Sequence, residues 1–377
     1  MEGNKFLVSV CALALMAILP AEAQDFQVSG RLDSTVSFSA GDGGSGGADF
    51  SYGLEEFANI RFQTSIGEAA RFYGAFNLAA VAGNATYTAE GAAYTATLEL
   101  ERLYFRVYGN GFDLDAGLMR LALGYDLVWG PLDFLNLRNP LSPDARSQGI
   151  LGATLSIYPG TSSRVLVFGA APQSPPDPLG GGFLAGLAGE LHGGWGSLQG
   201  LYAYETPRET ASPAGIHRFG ISFKGDLVIM GMSAEALYTW NPGEDLDLRG
   251  LAAAAGLDYS FSGGACTLML EYLYSGEGSS TAASLHLSNR HYLYGSFSWQ
   301  IDDFTSLGFA CMAALDDGSF TPVISAGFEL FQGFSLSGSL MLPLDRTLFT
   351  GSAAPGEWGP QAAGRFAALS IKAQLRF

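Results

Sequence analysis

The chain has 377 residues, 48% of them hydrophobic and only 15% charged, with 51 glycines and a formal net charge of −17. So few charges among so many apolar residues exclude a disordered chain, and the acidic balance excludes a nucleic-acid surface as the main theme. An ordinary soluble domain carries about 25% charged residues, and no stretch after residue 23 reaches the roughly 18 consecutive apolar residues of a membrane helix, which leaves a transmembrane β-barrel as the leading class.

In chain order, Lys5 precedes an apolar run from Phe6 to Leu19, and Ala21-Glu22-Ala23 follows as an A-x-A cleavage site. This predicts a signal peptide over residues 1–23 and a single barrel domain over 24–377. A single anchoring helix is the poorer reading, because the run is short and a cleavage site follows it. Cys11 lies inside the apolar run, which argues against a lipoprotein.

Strict alternation then begins. Phe26, Val28, Gly30, Leu32, Ser34, Val36 and Phe38 share one face, and Gln27, Ser29, Arg31, Asp33, Thr35 and Ser37 share the other. Period two over a dozen residues is a strand, longer than the five or six residues usual in globular sheets and long enough for a tilted membrane crossing. The pattern resumes over 58–66, 71–80, 102–107, 218–224, 267–272, 292–300 and 335–342. Between Ala96 and Val107 the apolar phase slips, predicting a β-bulge, and Gly and Ala blur the faces over 183–191 and 251–261. Short links near 67–70, 109–111, 159–162, 193–196, 225–226, 262–264, 302–304 and 332–333 alternate with long ones near 40–53, 81–93, 122–147, 171–182, 206–215, 241–249, 275–285 and 343–362. Residues 316–319 form a short link where a long one is due. The expectation is an all-β, antiparallel transmembrane barrel of about 18 strands, in a range of 16 to 18, with short periplasmic turns and longer outer loops.

The long loop 122–147 contains Trp129, Phe134 and Leu135, which a freely solvated loop does not need. Folded inward, it would narrow the lumen, with Asp126, Asp133, Arg138, Asp144 and Arg146 at the constriction and Trp129 packing the loop down; folded outward, it would be a lid or contact surface. The sequence leaves both open. Ala116-Gly117-Leu118-Met119-Arg120, followed by Trp129-Gly130-Pro131-Leu132-Asp133 and Asn139-Pro140, resembles a strand-to-loop motif of porin-like outer-membrane families. The resemblance implies a monomeric or trimeric channel for small solutes in the cell outer membrane.

At the chain end, Ala367, Leu369, Ile371, Ala373, Leu375 and Phe377 alternate with Ala368, Ser370, Lys372, Gln374 and Arg376. This resembles the closing strand of outer-membrane barrels, and it implies that Phe377 is the aromatic read by the barrel-assembly machinery. Cys266 and Cys311 fall on outward faces with a strand between them, near 10 Å apart at the usual strand spacing and too far to bridge, so two free thiols are expected. The four histidines are scattered, and no motif suggests a metal, a cofactor or a hydrolytic nucleophile, so the expectation is a non-enzyme. A soluble sandwich also alternates, but it puts its charges outside, whereas here one face is Phe, Leu and Ile and the other is small or polar with mixed charge.

The inward positions include Arg31, Arg61, Arg71, Arg102, Arg106, Arg164, Arg218, Lys224, Lys372 and Arg376, against Asp33, Glu99, Glu101, Asp113, Asp115, Glu190, Glu205, Glu235, Asp258, Glu271 and Glu329. Ten cations against eleven carboxylates is a balanced wall, which predicts weak ion selectivity, and the bland role for any one of them is a salt bridge across the lumen. Passive diffusion of small hydrophilic solutes is the first functional reading. An adhesin or structural barrel acting through its loops is the second. A gated transporter for hydrophobic substrates would need a plug before the first strand, and alternation already begins at Phe26.

Overall fold

The computed structural model describes residues 25–42, 48–84, 94–125, 128–135, 149–171, 182–206, 215–276, 287–346 and 356–377. The segment 1–23 and the residues Asp126, Arg138, Asp144 and Arg146 lie outside the described residues.

Eighteen strands follow one another: β1 Phe26–Asp42, β2 Ala48–Ile66, β3 Ala70–Gly83, β4 Tyr94–Gly109, β5 Phe112–Met119, β6 Ile150–Gly160, β7 Ser163–Ala171, β8 Leu184–Gly193, β9 Gly196–Glu205, β10 Ile216–Leu227, β11 Met230–Trp240, β12 Leu251–Phe261, β13 Cys266–Ser275, β14 His291–Gln300, β15 Thr305–Ala314, β16 Ser319–Phe331, β17 Phe334–Met341 and β18 Ala367–Arg376. Each pairs antiparallel with the next, and β18 pairs with β1 from Arg31↔Arg376 to Ala40↔Ala367, so the 18-stranded sheet closes on itself. Just past that seam, the Gly30 amide donates to the Phe377 carbonyl at 2.8 Å and the Phe377 amide to the Gly30 carbonyl at 3.0 Å. Closure leaves no strand edge, which satisfies the backbone groups that hydrocarbon cannot.

The short links gather at one end with both termini and the long links at the other. In β4 the register against β3 slips opposite Ala75/Phe76, placing the expected bulge at Glu101. Faces follow the alternation: Leu32, Leu54, Ile60, Leu78 and Phe105 are exposed outward, while Asp33, Asn59 and Asn77 are buried inward. Cys266 and Cys311 are free, and they pair with Trp299 and Gly295 on the two sides of β14, so an offset along the strand adds to the lateral gap.

The tight turns use glycine where the chain needs φ > 0, as at Gly111 (φ 79) and Gly333 (φ 84). Val228 is the exception: a β-branched residue at φ 61 in the link between β10 and β11, and 92% exposed. Its Cβ makes the left-handed region costly, and no packing is lost on replacing it. Val228→Asn should therefore stabilise the barrel by about 1 kcal/mol. The check is a higher urea midpoint at unchanged slope; a lower midpoint contradicts strain at this turn.

Candidate functional site

After β5 the chain does not leave the barrel. Residues 120–125 and 128–135 lie as a strap across the inner wall, and the local sequence explains the path. The Gly130 carbonyl accepts from the Asp133 amide at 2.9 Å, closing a β-turn with Pro131 at the position where its fixed φ belongs. The turn sends Leu132 and Trp129 to different places. Leu132 is fully buried with Leu121 and Leu123 among Leu166, Phe168, Leu184, Leu201 and Leu237 of β7, β8, β9 and β11. Burying one such leucine contributes roughly 2–3 kcal/mol. Trp129 stacks on Trp358 (centroids 6.0 Å apart) and tilts against Tyr292 (5.5 Å), beside Leu273, Met312 and Ala314.

Between these two apolar anchors the strap is held by polar side chains of alternate strands. Gln199 of β9 accepts from the Gly124 amide at 2.8 Å. Glu235 of β11 accepts from the amides of Tyr125 (2.6 Å) and Leu132 (3.3 Å) and from the Ser222 hydroxyl (3.3 Å). Glu271 of β13 takes the Val128 and Trp129 amides, one on each oxygen, at 2.9 and 2.8 Å. The two side chains are 3% and 0% exposed, so these amides replace the water that their carboxyl oxygens would otherwise bind. A Cβ at Gly124, where φ is 80, would collide with the Glu235 carboxylate.

The positions expected from sequence divide accordingly. Glu235 and Glu271 do project inward, but as buried clamps for backbone amides rather than as wetted lining. Arg218 is likewise covered: it pairs with Glu205 at 2.8 Å, and the Phe134 ring of the strap lies over it at 4.9 Å. Asp133 pairs with Arg120 at 3.7 Å. Trp129 lies inside the barrel. Sequence reasoning missed Gln199, Tyr292 and Trp358. It placed 343–362 outside, yet Trp358 is 6% exposed. Its amide donates to the Ser319 hydroxyl at 3.1 Å, and its carbonyl accepts from Thr321 at 3.3 Å. A rare tryptophan between Gly356 and Gly359 was the available signal.

The arginines on the other side are wetted. Arg61 and Arg71 are exposed within the closed ring, and neither forms an ion pair among the described residues. Tyr73 and Tyr104 stack at 4.9 Å, and Arg71 lies over the Tyr108 ring at 5.5 Å. Arg106 is bidentate to Asp115 at 2.6 and 2.7 Å, and Arg102 pairs with Glu101 at 3.4 Å. The wall is balanced only in sum. Of the ten inward cations, seven (Arg31, Arg61, Arg71, Arg102, Arg106, Lys372, Arg376) lie on the arc β18–β1–β2–β3–β4, with three of the eleven carboxylates; the other strands carry three cations and eight carboxylates. Asp49 and Glu55 also project inward on this arc, and Asp226 of β10 on the other side. The arc's centre, β2, lies nine strands from β11, so the strap anchor at Glu235 faces it across the lumen.

No family model and no curated protein matches the sequence. Solved structures do. OccAB4 of Acinetobacter baumannii superposes with a TM-score of 0.57 at 10% identity, covering 95% of this chain and 99% of its own. OccK9 (OpdG) of Pseudomonas aeruginosa gives 0.56 at 10%, covering 94% and 99%. A triple mutant of the Rhodopseudomonas blastica porin gives 0.50 at 13%, covering 94% and 100%. The likeness is one of fold: this chain is a porin-like closed β-barrel.

Two predictions follow from the anchors. Glu271→Ala strips the acceptors from two buried amides, at a cost of about 1–3 kcal/mol each. Hydrogen exchange at Val128 and Trp129 should accelerate by at least about tenfold while the barrel amides stay protected; unchanged exchange would sink the clamp. At the rim, burial opposes ionisation of Asp317. The Glu357 and Ser319 amides, the Ser319 hydroxyl and the Asn289 side-chain amide outweigh it and hold this carboxyl below its ordinary range. A carboxyl that titrates lower when folded stabilises fully above about pH 4 and stops doing so as pH falls through its folded value. Acid should therefore shift tryptophan emission as Trp358 loosens, and Asp317→Asn should remove that acid dependence.

Proposed function

We propose that this protein is an exported outer-membrane channel for passive diffusion of small hydrophilic solutes, narrowed by the strap. The observation that carries the reading is a closed ring that keeps exposed charge on its inner wall although a strap covers part of that wall. Inward-facing Gln27, Ser29, Arg61 and Arg71 are exposed, whereas inward-facing Glu235, Glu271 and Leu237 are buried under the strap. An 18-stranded ring is wide enough for an aqueous path beside such a strap. On this reading the path runs between the strap and the arginine arc, and size exclusion is set by their separation. Asp126, Arg138, Asp144 and Arg146 belong to the same excursion of the chain and would add charge to it.

Several further elements support the export part of the proposal. The leader 1–23 would deliver the chain across the inner membrane, Phe377 would engage the assembly machinery, and the aliphatic outer face would meet outer-membrane lipid. Transport by diffusion requires no cofactor and no catalytic residue.

The segregated wall changes the expected selectivity. Unpaired Arg61 and Arg71 on the open side favour anions, so the channel should be anion-preferring despite the acidic chain. In planar bilayers the purified protein should conduct in discrete steps, with a reversal potential on the anion side in a salt gradient. Arg61→Gln with Arg71→Gln should move that potential towards cations, and Glu235→Ala with Glu271→Ala should raise the unit conductance. A folded, inserted protein that never conducts would overturn the channel, and unchanged conductance in the second double variant would remove the strap from the constriction.

A further inference from the structure

Arginine and tyrosine alternate along the inner face of two neighbouring strands. On β4 the order towards the short-turn end is Arg102, Tyr104, Arg106 and Tyr108, and on β3 Tyr73 precedes Arg71. The register sets Tyr73 opposite Tyr104 and Arg71 opposite Arg106. The Tyr73 and Tyr104 rings stack with centroids 4.9 Å apart and 12° between their planes. The guanidinium groups above and below Tyr104 are both held in place. Arg106 makes its two bonds to Asp115 of β5, and Arg102 pairs through Nε with Glu101 at 3.4 Å.

The ring stack is flanked on one side and open on the other. Gln63 of β2 stands opposite Tyr73, but the residue opposite Tyr104 on β5 is Gly117, followed by Gly152 on β6. At Gly117 φ is 131, and a Cβ would collide with the Leu103 carbonyl, so the backbone itself keeps the position bare. Strands lie about 4.8 Å apart, so two bare positions leave roughly 10 Å of clear width beside the Tyr104 ring. The leucines of the strap pack further round the wall, on β7, β8, β9 and β11. Tyr104, Arg102 and Gly117 are all partly exposed. One aromatic face is thus presented to the lumen over bare backbone, with a fixed arginine on either side along the strand. A flat ring laid there adds a third member to the stack at ordinary aromatic spacing. Acceptor atoms on opposite edges of that ring meet the N–H groups of Arg102 and Arg106.

We propose that the open face of Tyr104 is a binding site for flat oxo-heterocycles, rings of the pyrimidinedione or purinedione kind whose edges carry carbonyl acceptors. The ring stacks on Tyr104, and its carbonyl groups accept from Arg102 and Arg106. This names a class of solute for the channel and rests on that reading, because an open lumen is what brings solute to Tyr104. It is separate from the preference for anions. Charge steering treats all solutes of equal charge alike, whereas a stacking face separates a flat ring from a puckered ring that carries the same carbonyl groups.

The test compares uridine with 5,6-dihydrouridine, which are alike in charge and carbonyl groups and differ in the flatness of the base. In planar bilayers uridine should halve the chloride current at a concentration about fivefold lower than dihydrouridine. Tyr104→Leu should bring that ratio to about one, and Tyr104→Phe, which keeps the ring, should preserve it. Saturation-transfer NMR on the wild-type barrel in detergent micelles reads binding without conduction. It should show strong transfer to the uracil protons and at least about threefold less to the ring protons of dihydrouridine. Equal behaviour of the two nucleosides in the wild type, or an unchanged ratio in Tyr104→Leu, would overturn the site. A barrel that selects uridine by NMR yet passes no chloride would uphold the site and overturn the channel.

Discussion

Hydrocarbon satisfies no hydrogen bond, and on the outer-membrane reading proposed above the architecture of this protein answers to that constraint. Every strand must find two neighbours, so the sheet closes from β18 back to β1. Once closed, the alternation of side chains divides the protein into an outside and an inside with opposite solvents. Phe, Leu and Ile on one side and arginine, carboxylate and serine on the other are two consequences of one pleat. The acidic, glycine-rich, apolar composition is therefore the average of two surfaces, neither of which resembles it.

The interior adds a second constraint. A strap inside the ring is held only if its backbone groups find partners at least as good as water. Glu235 and Glu271 provide them, each taking two strap amides. Buried carboxylates without a cation are expensive alone, and strap amides without acceptors are equally so; each removes the other's cost. The two apolar clusters, around Leu132 and around Trp129, place the strap so that these bonds can form. Tight packing and carboxyl acceptors thus act on the same few residues.

What the sequence made legible was what is local. Alternation over two residues marked the strands, their faces, the bulge near Glu101 and the closing strand, because each depends only on neighbours along the chain. The inward facing of all ten cations followed from parity alone. The strap's bonds to the wall span 75 to 143 residues, and no local pattern reports them. Hence Glu235 and Glu271 read as wall residues, and Trp358 read as part of an outer loop. The balance of charge misled for a related reason. A sum over the wall is blind to where strands lie around a circle, and Arg376 and Arg31, at opposite ends of the chain, are direct partners at the seam.

The same logic gives weight to departures from the pattern. On the inner face a carboxylate needs no special account, because water, arginines and amides are all at hand, and Asp33, Asp115 and Glu190 each have an arginine partner. On the outer face every such option is missing. Glu56 there, bonded to one hydroxyl in a row of alanines, is harder to reconcile with lipid than the inward carboxylates are with water. The Ser34 hydroxyl on the neighbouring strand supplies the donor that hydrocarbon cannot.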